Sequence, residues 1–447
     1  MSPGAARDVA ADLRACYNAA VAAADPAQVV RAGLEAHAAA LATRHDRPHW
    51  VIALGKAAPA MAGAAIVFCH QTGRTLAGGI VVVASDSQLA TEVDVPTSEL
   101  EKLDALIGDH PVPGVRSAEA AAWLADVCTR VRGDDVVLVL ISGGTSSLIG
   151  APISGIRASD LEYLYALLLG AGLPIEKTNA VRKRFTRWGA GRLAQALQPA
   201  MVLPILLSDV PTEDPAMIGS GPISPDPLEA AEIEAILREA DLARRIPLSI
   251  ASIIGTMRSG VYPETPKPDE APFETVAKPF VVGNTAALSA AAAEATRRGY
   301  DPVLLAQSTL EGDATAAGRV LAHLAARSIP GCCLIWGGET TVRLPSEHGL
   351  GGRCQQLALA AAEVFDEQRI DGTWMLAAGT DGQDGPSPAA GAIVNASTWR
   401  RSAASGAAPH RALARCDAYG ALDADDALIS ARHTGTNVMD LVVAVRV

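Results

Sequence analysis

Glycine-rich turns that carry lysine, serine, aspartate and arginine are the stretches of this 447-residue sequence whose residue types could do chemistry. In "VLVLISGGTSSLIGAP" an apolar run stops at Ser142, Gly143 and Gly144 and continues through Thr145 and Ser146. Uncovered backbone N–H groups, hydroxyls and the positive end of a helix would together bind a phosphate or a carboxylate. An ordinary strand-to-helix turn capped by serine has the same pattern, so the spacing alone leaves both interpretations open.

A lysine follows the glycine that ends the first apolar strand, in "ALGKAAPAM". Because a cation at a helix start opposes the helix dipole, Lys56 is a candidate for neutralising a transferring phosphoryl group or a substrate carboxylate. A solvated lysine at a helix start is the alternative.

Acidic residues and an arginine occupy three further loops. Asp209 in "LLSDVPTEDP" could accept a proton from a hydroxyl nucleophile or hold magnesium, or it could cap its own loop. Glu339 and Arg353 follow two glycine pairs in "IWGGETTVRLPSEHGLGGRCQQLALA", with Arg353 at a helix start, and structural and functional roles are equally open. Asp381 and Asp384 in "AAGTDGQDGP" have calcium-loop spacing without its final glutamate, which leaves a ribose, a metal-bound water or a loop cap.

Continuous apolar strands must position these turns: "HWVIALGK", "GGIVVVAS", "DVVLVLI", "MVLPILLSDV", "PFVVGN" and "GCCLIWGG". Strands without polar alternation are typical of parallel sheets covered by helices on both faces. The carboxyl ends of such strands form one rim, where ligands bind. Two alanine-rich helices are expected before the first strand.

The length predicts two domains. Prolines and acidic residues in "SGVYPETPKPDEAPFETVAKP" mark the boundary, so we expect an N-terminal α/β domain over 1–245, a linker or surface excursion over 246–279, and a C-terminal α/β domain over 280–447.

Composition excludes several classes of protein. The net charge is −12, from 37 Lys and Arg against 49 Asp and Glu, which argues against nucleic acid and anionic membrane as partners. Seven cysteines without metal-ligand spacing fit a reducing cytoplasm, and no apolar run approaches the roughly 20 residues of a membrane span. GxxxxGK[ST] is absent, as is GxGxxG after the first strand, so P-loop and Rossmann dinucleotide sites are unsupported. The residues alone therefore predict a soluble, cytoplasmic two-domain α/β enzyme that handles small anions.

The order of these loops resembles that of the glycerate 2-kinase family, whose C-terminal part is the MOFRL domain. The resemblance runs from about residue 50 to the C-terminus and rests on these stretches: "GKAAPAM", "DHPVPG", "LISGGTSSL", "NAVRKRF", "SDVPTEDPAMIGSGPISPD", "VVGN", "WGGETTV", "GLGGRCQQLALA", "AAGTDGQDGP", "AAGA" and "TGTNVMDL".

The resemblance implies ATP-dependent phosphorylation of the 2-hydroxyl of D-glycerate, or of a closely related small hydroxy acid, with Mg²⁺. It implies a Rossmann-like, three-layer N-terminal domain with a mainly parallel sheet, a smaller C-terminal α/β domain, an active site in the cleft between them and, by analogy, a homodimer. Lys56 and Arg353 match the family's key catalytic positions, and Asp209 matches the aspartate of its "SDV" motif. Within the same motifs we predict two further sets. The first set, predicted to bind substrate or phosphate, is Ser142, Gly143, Gly144, Thr145, Ser146, Arg182, Asn284 and Glu339. The second set, predicted to bind the nucleotide, is Asp381, Asp384 and Asn437.

The sequence departs from the family pattern at Arg184, Gly189, Thr212, Glu213 and Gln356, which leaves the identity of the hydroxy acid open. Two alternatives to a kinase stay open as well. An NAD(P)H-dependent hydroxypyruvate reductase would need the missing dinucleotide motif. A non-catalytic sugar-acid-binding protein would bind the acid without ATP turnover.

Overall fold

The computed structural model describes residues 7–85 and 97–447. The helices are α1 (Val9–Ala23), α2 (Pro26–Ala36), α3 (Ala38–Thr43), α4 (Ala58–Gln71), α5 (Thr97–Leu100), α6 (Val115–Arg130), α7 (Thr145–Leu148), α8 (Ala158–Gly170), α9 (Ile175–Arg184), α10 (Arg192–Leu197), α11 (Ala230–Glu239), α12 (Leu248–Arg258), α13 (Asn284–Arg297), α14 (Ala314–Arg327), α15 (Arg353–Glu367), α16 (Thr398–Ala404), α17 (Pro409–Ala414) and α18 (Ala418–Asp423). The strands are β1 (His49–Leu54), β2 (Leu76–Val83), β3 (Leu103–Ile107), β4 (Val136–Ile141), β5 (Met201–Leu207), β6 (Phe280–Val282), β7 (Val303–Leu305), β8 (Cys333–Gly338), β9 (Thr373–Gly379), β10 (Ala389–Asn395), β11 (Leu428–Ser430) and β12 (Asp440–Arg446). None of the described helices is long and apolar enough to cross a membrane.

Two compact units make up the chain. The N-terminal unit is Pro26–Val281. The C-terminal unit combines residues 7–25 with Val282–Val447.

The N-terminal unit contains a sheet in the order β3-β2-β1-β4-β5-β6, whose central strands pair in parallel. Val51 and Ile52 of β1 point to opposite faces and both are fully buried, so both faces are covered. On one face Leu124 of α6 shares a core with Ile52. This confirms the predicted Rossmann-like half, and the strand order is that of a doubly wound fold.

The strand order reverses between β1 and β4. From β1 the chain builds β2 and β3 on one side, and from β4 it builds β5 and β6 on the other. In such sheets ligands bind outside the carboxyl ends of the two strands at this switch point. Here those ends are the turns that contain Lys56 and Ser142.

The C-terminal unit contains a mixed sheet in the order β11-β10-β9-β12-β8-β7. Only β7 and β8 pair in parallel, and β12 is antiparallel to both of its neighbours. The expectation of parallel pairing therefore holds for "GCCLIWGG" on its β7 side and is wrong on its β12 side. Continuous burial arises here because helices cover both faces of an antiparallel sheet, as the full burial of adjacent Met375 and Leu376 demonstrates.

The N-terminal and C-terminal units differ from the expected domains in two places. Helix α1 belongs to the C-terminal unit, where the Tyr17 hydroxyl donates to the Gly379 carbonyl over 2.8 Å. The expected linker contains α12, whose apolar face is buried in a core shared with Leu164. That face has helical spacing, Ile250, Ile253, Ile254 and Met257, although prolines follow it.

Candidate active site

Hydrogen bonds join the two turns at the switch point. The backbone N–H of Ser142 donates to the Leu54 carbonyl over 2.9 Å, and that of Lys56 donates to the Gly143 carbonyl over 3.0 Å. Gly55 has a φ of 119° and lies so close to Ser142 that a side chain there would collide with it. The turn after β1 is therefore fixed by the turn after β4.

Two of the hydroxyls expected to bind an anion point inward. The Ser142 hydroxyl accepts from the backbone N–H of Ala57 over 3.0 Å, and the Thr145 hydroxyl donates to the Leu54 carbonyl over 2.9 Å. Both residues are buried. The Ser146 hydroxyl lies 2.8 Å from that of Ser220. Ser142 and Thr145 thus shape the turn.

The two glycines leave backbone donors open. Within the described part of the chain, the N–H groups of Gly143 and Gly144 donate to no other residue. Gly144 has a φ of 89°, a conformation that side chains disfavour. A negatively charged group could approach these two donors.

Three polar side chains converge on these glycines. A Cβ added to Gly143 would lie 2.1 Å from Oδ2 of Asp209. One added to Gly144 would lie 3.2 Å from Cδ2 of His110 and 3.6 Å from Cγ of Lys56. We call Lys56, His110, Gly143, Gly144 and Asp209 the N-terminal cluster. It combines an exposed ammonium, an imidazole, a carboxylate and free backbone donors at one rim.

His110 was not among the predicted site residues, although "DHPVPG" was recognised as a motif. It follows β3, a short strand whose sequence "LDALI" contains an aspartate and was not recognised as a strand. The available signal was the histidine within the motif "DHPVPG" itself. Partial desolvation lowers the pKa of His110, and the charge of Lys56 lowers it further.

Asp109 fixes the position of His110. Its carboxylate accepts from the backbone N–H groups of Arg116 and Ser117 and pairs with the Arg116 guanidinium at 2.8 Å. These contacts attach the loop after β3 to the start of α6.

Arg182 also belongs to the N-terminal unit. It is in the last turn of α9, and its guanidinium carbon lies 4.1 Å from the centre of the Tyr165 ring.

In the C-terminal unit, Arg353 pairs with two carboxylates. Its Nε and Nη2 donate to Asp440 over 2.6 and 2.9 Å, and its Nη1 lies 3.0 Å from Glu339. Burial raises the pKa of Asp440, although Arg353 opposes the shift. Asp440 was not predicted as a site residue, and its position within "TGTNVMDL" was the only signal in the sequence.

Asp384 caps helix α15. Its carboxylate accepts from the backbone N–H groups of Cys354 and Gln355 over 3.0 and 2.8 Å, and from the Gln355 side chain over 2.9 Å. Burial raises the pKa of Asp384. The loop cap weighed from the sequence accounts for these contacts.

The side chains of the other predicted residues of this unit bond to backbone groups. The Asn284 amide donates to the carbonyls of Val438 and Asp440 over 2.7 and 3.2 Å. Asp381 accepts from the backbone of Gln383. Asn437 accepts from the backbone N–H of Met439 over 3.0 Å.

Three of the five departures from the family pattern are buried. The Arg184 side chain is fully buried and pairs with Glu264 at 2.6 Å. A Cβ at Gly189 would lie 2.4 Å from the Thr186 hydroxyl, which leaves no room for a lysine. The Gln356 amide donates to the Leu413 carbonyl over 2.9 Å inside the C-terminal unit.

The remaining two departures lie close to the N-terminal cluster along the chain. Thr212 is exposed and Glu213 half-buried in the loop that begins at Asp209. Unlike the other three, they are not buried.

Comparison with known proteins identifies the family. Residues 12–255 match a domain of unknown function, DUF4147, and residues 332–440 match the MOFRL family. Glycerate 2-kinase from Pyrococcus horikoshii is 32% identical over 355 residues, which cover 78% of this chain and 79% of that protein. A provisionally named hydroxypyruvate reductase from Agrobacterium vitis is 34% identical over 442 residues, covering 96% and 92%. The crystal structure of glycerate kinase from Thermotoga maritima superposes with a TM-score of 0.82 at 29% identity, covering 99% of this chain and 100% of that one. The chain belongs to the glycerate 2-kinase family, in which a DUF4147 domain precedes a MOFRL domain.

Proposed function

We propose that the protein transfers the terminal phosphoryl group of ATP to the 2-hydroxyl of D-glycerate or of a closely related small hydroxy acid. The observation that carries the proposal is the convergence of Lys56, Asp209 and His110 on the free backbone donors of Gly143 and Gly144. The kinase names of the relatives support it.

Phosphoryl transfer requires positioning and neutralisation of negative charge more than covalent chemistry. The ammonium of Lys56 and the N–H groups of Gly143 and Gly144 would bind phosphoryl oxygens or the substrate carboxylate. Arg353 would bind an anionic group with the N–H donors that Asp440 and Glu339 leave unused. Asp209 would accept the hydroxyl proton or bind magnesium.

The residues present fit a magnesium ion that arrives with the nucleotide. Among residues 7–85 and 97–447, no group of three His, Cys, Asp or Glu side chains is arranged to hold a metal. Magnesium bound to ATP needs only one or two protein carboxylates, because phosphate oxygens and water supply its other ligands. Asp209 would provide that carboxylate, and the ion would neutralise phosphate charge.

The turn after β1 disfavours the reductase alternative. In a dinucleotide site the second glycine of GxGxxG lets the backbone approach the pyrophosphate. Ala57 occupies that position here, and its N–H is bonded to the Ser142 hydroxyl.

The direct test is an assay with ATP, magnesium and a panel of hydroxy acids led by D-glycerate. We expect ADP release and phosphate on the 2-hydroxyl, read by ³¹P NMR. A parallel assay with hydroxypyruvate and NADH or NADPH covers the reductase. Oxidation of the nicotinamide without ADP release in the first assay would overturn the kinase proposal.

Replacing Lys56 by methionine tests the cluster. We expect kcat to fall at least about 100-fold, because the variant loses an electrostatic contact to the transferring group. The matched control is Lys177→Met, which removes an exposed cation paired with Glu239 in the same unit. Loss of less than about tenfold in Lys56→Met would contradict the role assigned to Lys56.

A further inference from the structure

The imidazole of His110 lies beside Gly144 and Lys56 in the N-terminal cluster. The nearest atoms to an added Gly144 Cβ are Cδ2 and Nε2 of His110, at 3.2 and 3.4 Å, followed by Cγ of Lys56 at 3.6 Å. Because Gly144 carries no side chain, the ring of His110 lies close to its backbone. The side chain is exposed to solvent, so a ligand can reach it.

The loop that carries His110 is held in place, as a proton acceptor requires. Asp109 ties it to Arg116 and Ser117, and the N–H of Asp109 donates to the Ser117 hydroxyl over 2.8 Å. A base fixed by its neighbours loses little entropy when it acts.

We propose that His110 is the general base of the reaction, which accepts the proton of the substrate hydroxyl and leaves Asp209 to bind magnesium. This rests on the proposed kinase function. As the 2-hydroxyl loses its proton to Nε2, its oxygen forms a bond to the γ-phosphorus. The bond from that phosphorus to the bridging oxygen breaks, and its electron pair leaves on the β-phosphate of ADP. The imidazolium then releases the proton to solvent.

The charges around His110 keep it in the form that can accept a proton. Lys56 faces His110 from the turn after β1. Gly144, from the turn after β4, carries no charge. On the loop of His110 itself, the charge of Asp109 is compensated by Arg116. Asp209 lies against Gly143, from the turn after β5. Partial desolvation and Lys56 both lower the pKa of His110 below its usual 6.5, which favours the neutral ring.

The experiment compares pH profiles of kcat/KM for D-glycerate in the wild type, His110→Gln, His110→Ala and Asp209→Asn. In the wild type the rate should fall as the pH drops through a pKa below 6.5, since protonation removes the base. His110→Gln should lose about 100-fold or more in kcat and should lose this acid limb. Added imidazole should restore part of the activity of His110→Ala. The control is His70→Gln, an exposed histidine in the last turn of α4.

The outcomes separate the two proposals. If His110→Gln retains the acid limb and nearly full kcat, or if Asp209→Asn loses the limb while His110→Gln keeps it, the general-base proposal is overturned and the kinase proposal stands. If His110→Ala folds by circular dichroism but imidazole restores nothing, His110 acts through structure and not as the base. If the wild type does not consume ATP with any hydroxy acid, both proposals are overturned.

Discussion

In the turn after β4, Gly143 and Gly144 lie beside hydroxyl side chains that bond within the protein. The side chains of Ser142 and Thr145 bond to the backbone of the neighbouring turn, whereas the N–H groups of Gly143 and Gly144 donate to no described residue. Sequence reasoning placed these residues at one strand end correctly. It could not predict the inward direction of the hydroxyls, because their partners, Ala57 and Leu54, are 85 and 91 residues away along the chain.

Gly143→Ala tests the fit between the turn and Asp209. A methyl group there would lie 2.1 Å from the Asp209 carboxylate and must displace it. Because a displacement of about 1 Å in a catalytic group can cost about 100-fold, we expect kcat to fall by that order with the far-UV circular dichroism unchanged. Gly170→Ala is the control, since nothing lies within 4 Å of its Cβ. Wild-type kcat in Gly143→Ala would show that the position of Asp209 is unimportant.

At the level of the element, the position of α15 explains why Asp381 and Asp384 have different hydrogen-bond partners. Asp381 and Asp384 are indistinguishable by sequence, and both were predicted to contact the nucleotide. Asp384 caps the first N–H groups of α15 from a buried position, whereas Asp381 closes a turn within its own loop. The difference depends on where α15 lies relative to the loop, which no local pattern encodes.

Asp384→Asn should destabilise the protein, whereas Asp381→Asn should not. The amide has one acceptor oxygen for the N–H groups that the Asp384 carboxylate satisfies, so we expect a loss of about 1 to 3 kcal/mol in the free energy of unfolding. Asparagine can accept the single bond of Asp381 equally well. Urea unfolding followed by circular dichroism measures both variants, and equal midpoints would contradict the capping role.

Element prediction from the sequence succeeded where burial is continuous and failed where it is not. The strands β1, β4 and β5 are apolar apart from His49 and were predicted within a few residues. Strand β3 was missed because its residues are only half-buried at the sheet edge and include Asp104. The antiparallel pairing of β8 with β12 was missed because an apolar composition indicates that helices cover a strand. It does not indicate the direction of the neighbouring strand.

At the level of the whole molecule, α1 is far in sequence from the unit it stabilises. Leu13 is fully buried, and Asp12 pairs with Arg298 of the C-terminal unit at 2.6 Å. The predicted division at residue 245 assigned α1 to the N-terminal domain because neighbours in sequence usually share a domain. The cytoplasmic location and the homodimer stay predictions.

Leu13→Ala should therefore loosen the C-terminal unit. Removing a buried leucine costs about 2 to 5 kcal/mol, so amide hydrogen exchange should accelerate in β9 and β12 and not in β1 or β4. Val30→Ala, at an equally buried site in α2, should give the opposite pattern. Faster exchange in β1 and β4 of Leu13→Ala would contradict this assignment of α1.

Strand β12, Asp440–Arg446, lies in the middle of its sheet, between β9 and β8. During synthesis the ribosome makes the other five strands of that sheet, β7 to β11, before β12. All six strands of the first sheet have been made by then. The first sheet can therefore form cotranslationally, whereas the second must wait with its central position vacant. Until then β8 and β9 each expose an unpaired edge, which makes the nascent chain open to chaperones and to misassociation at that stage.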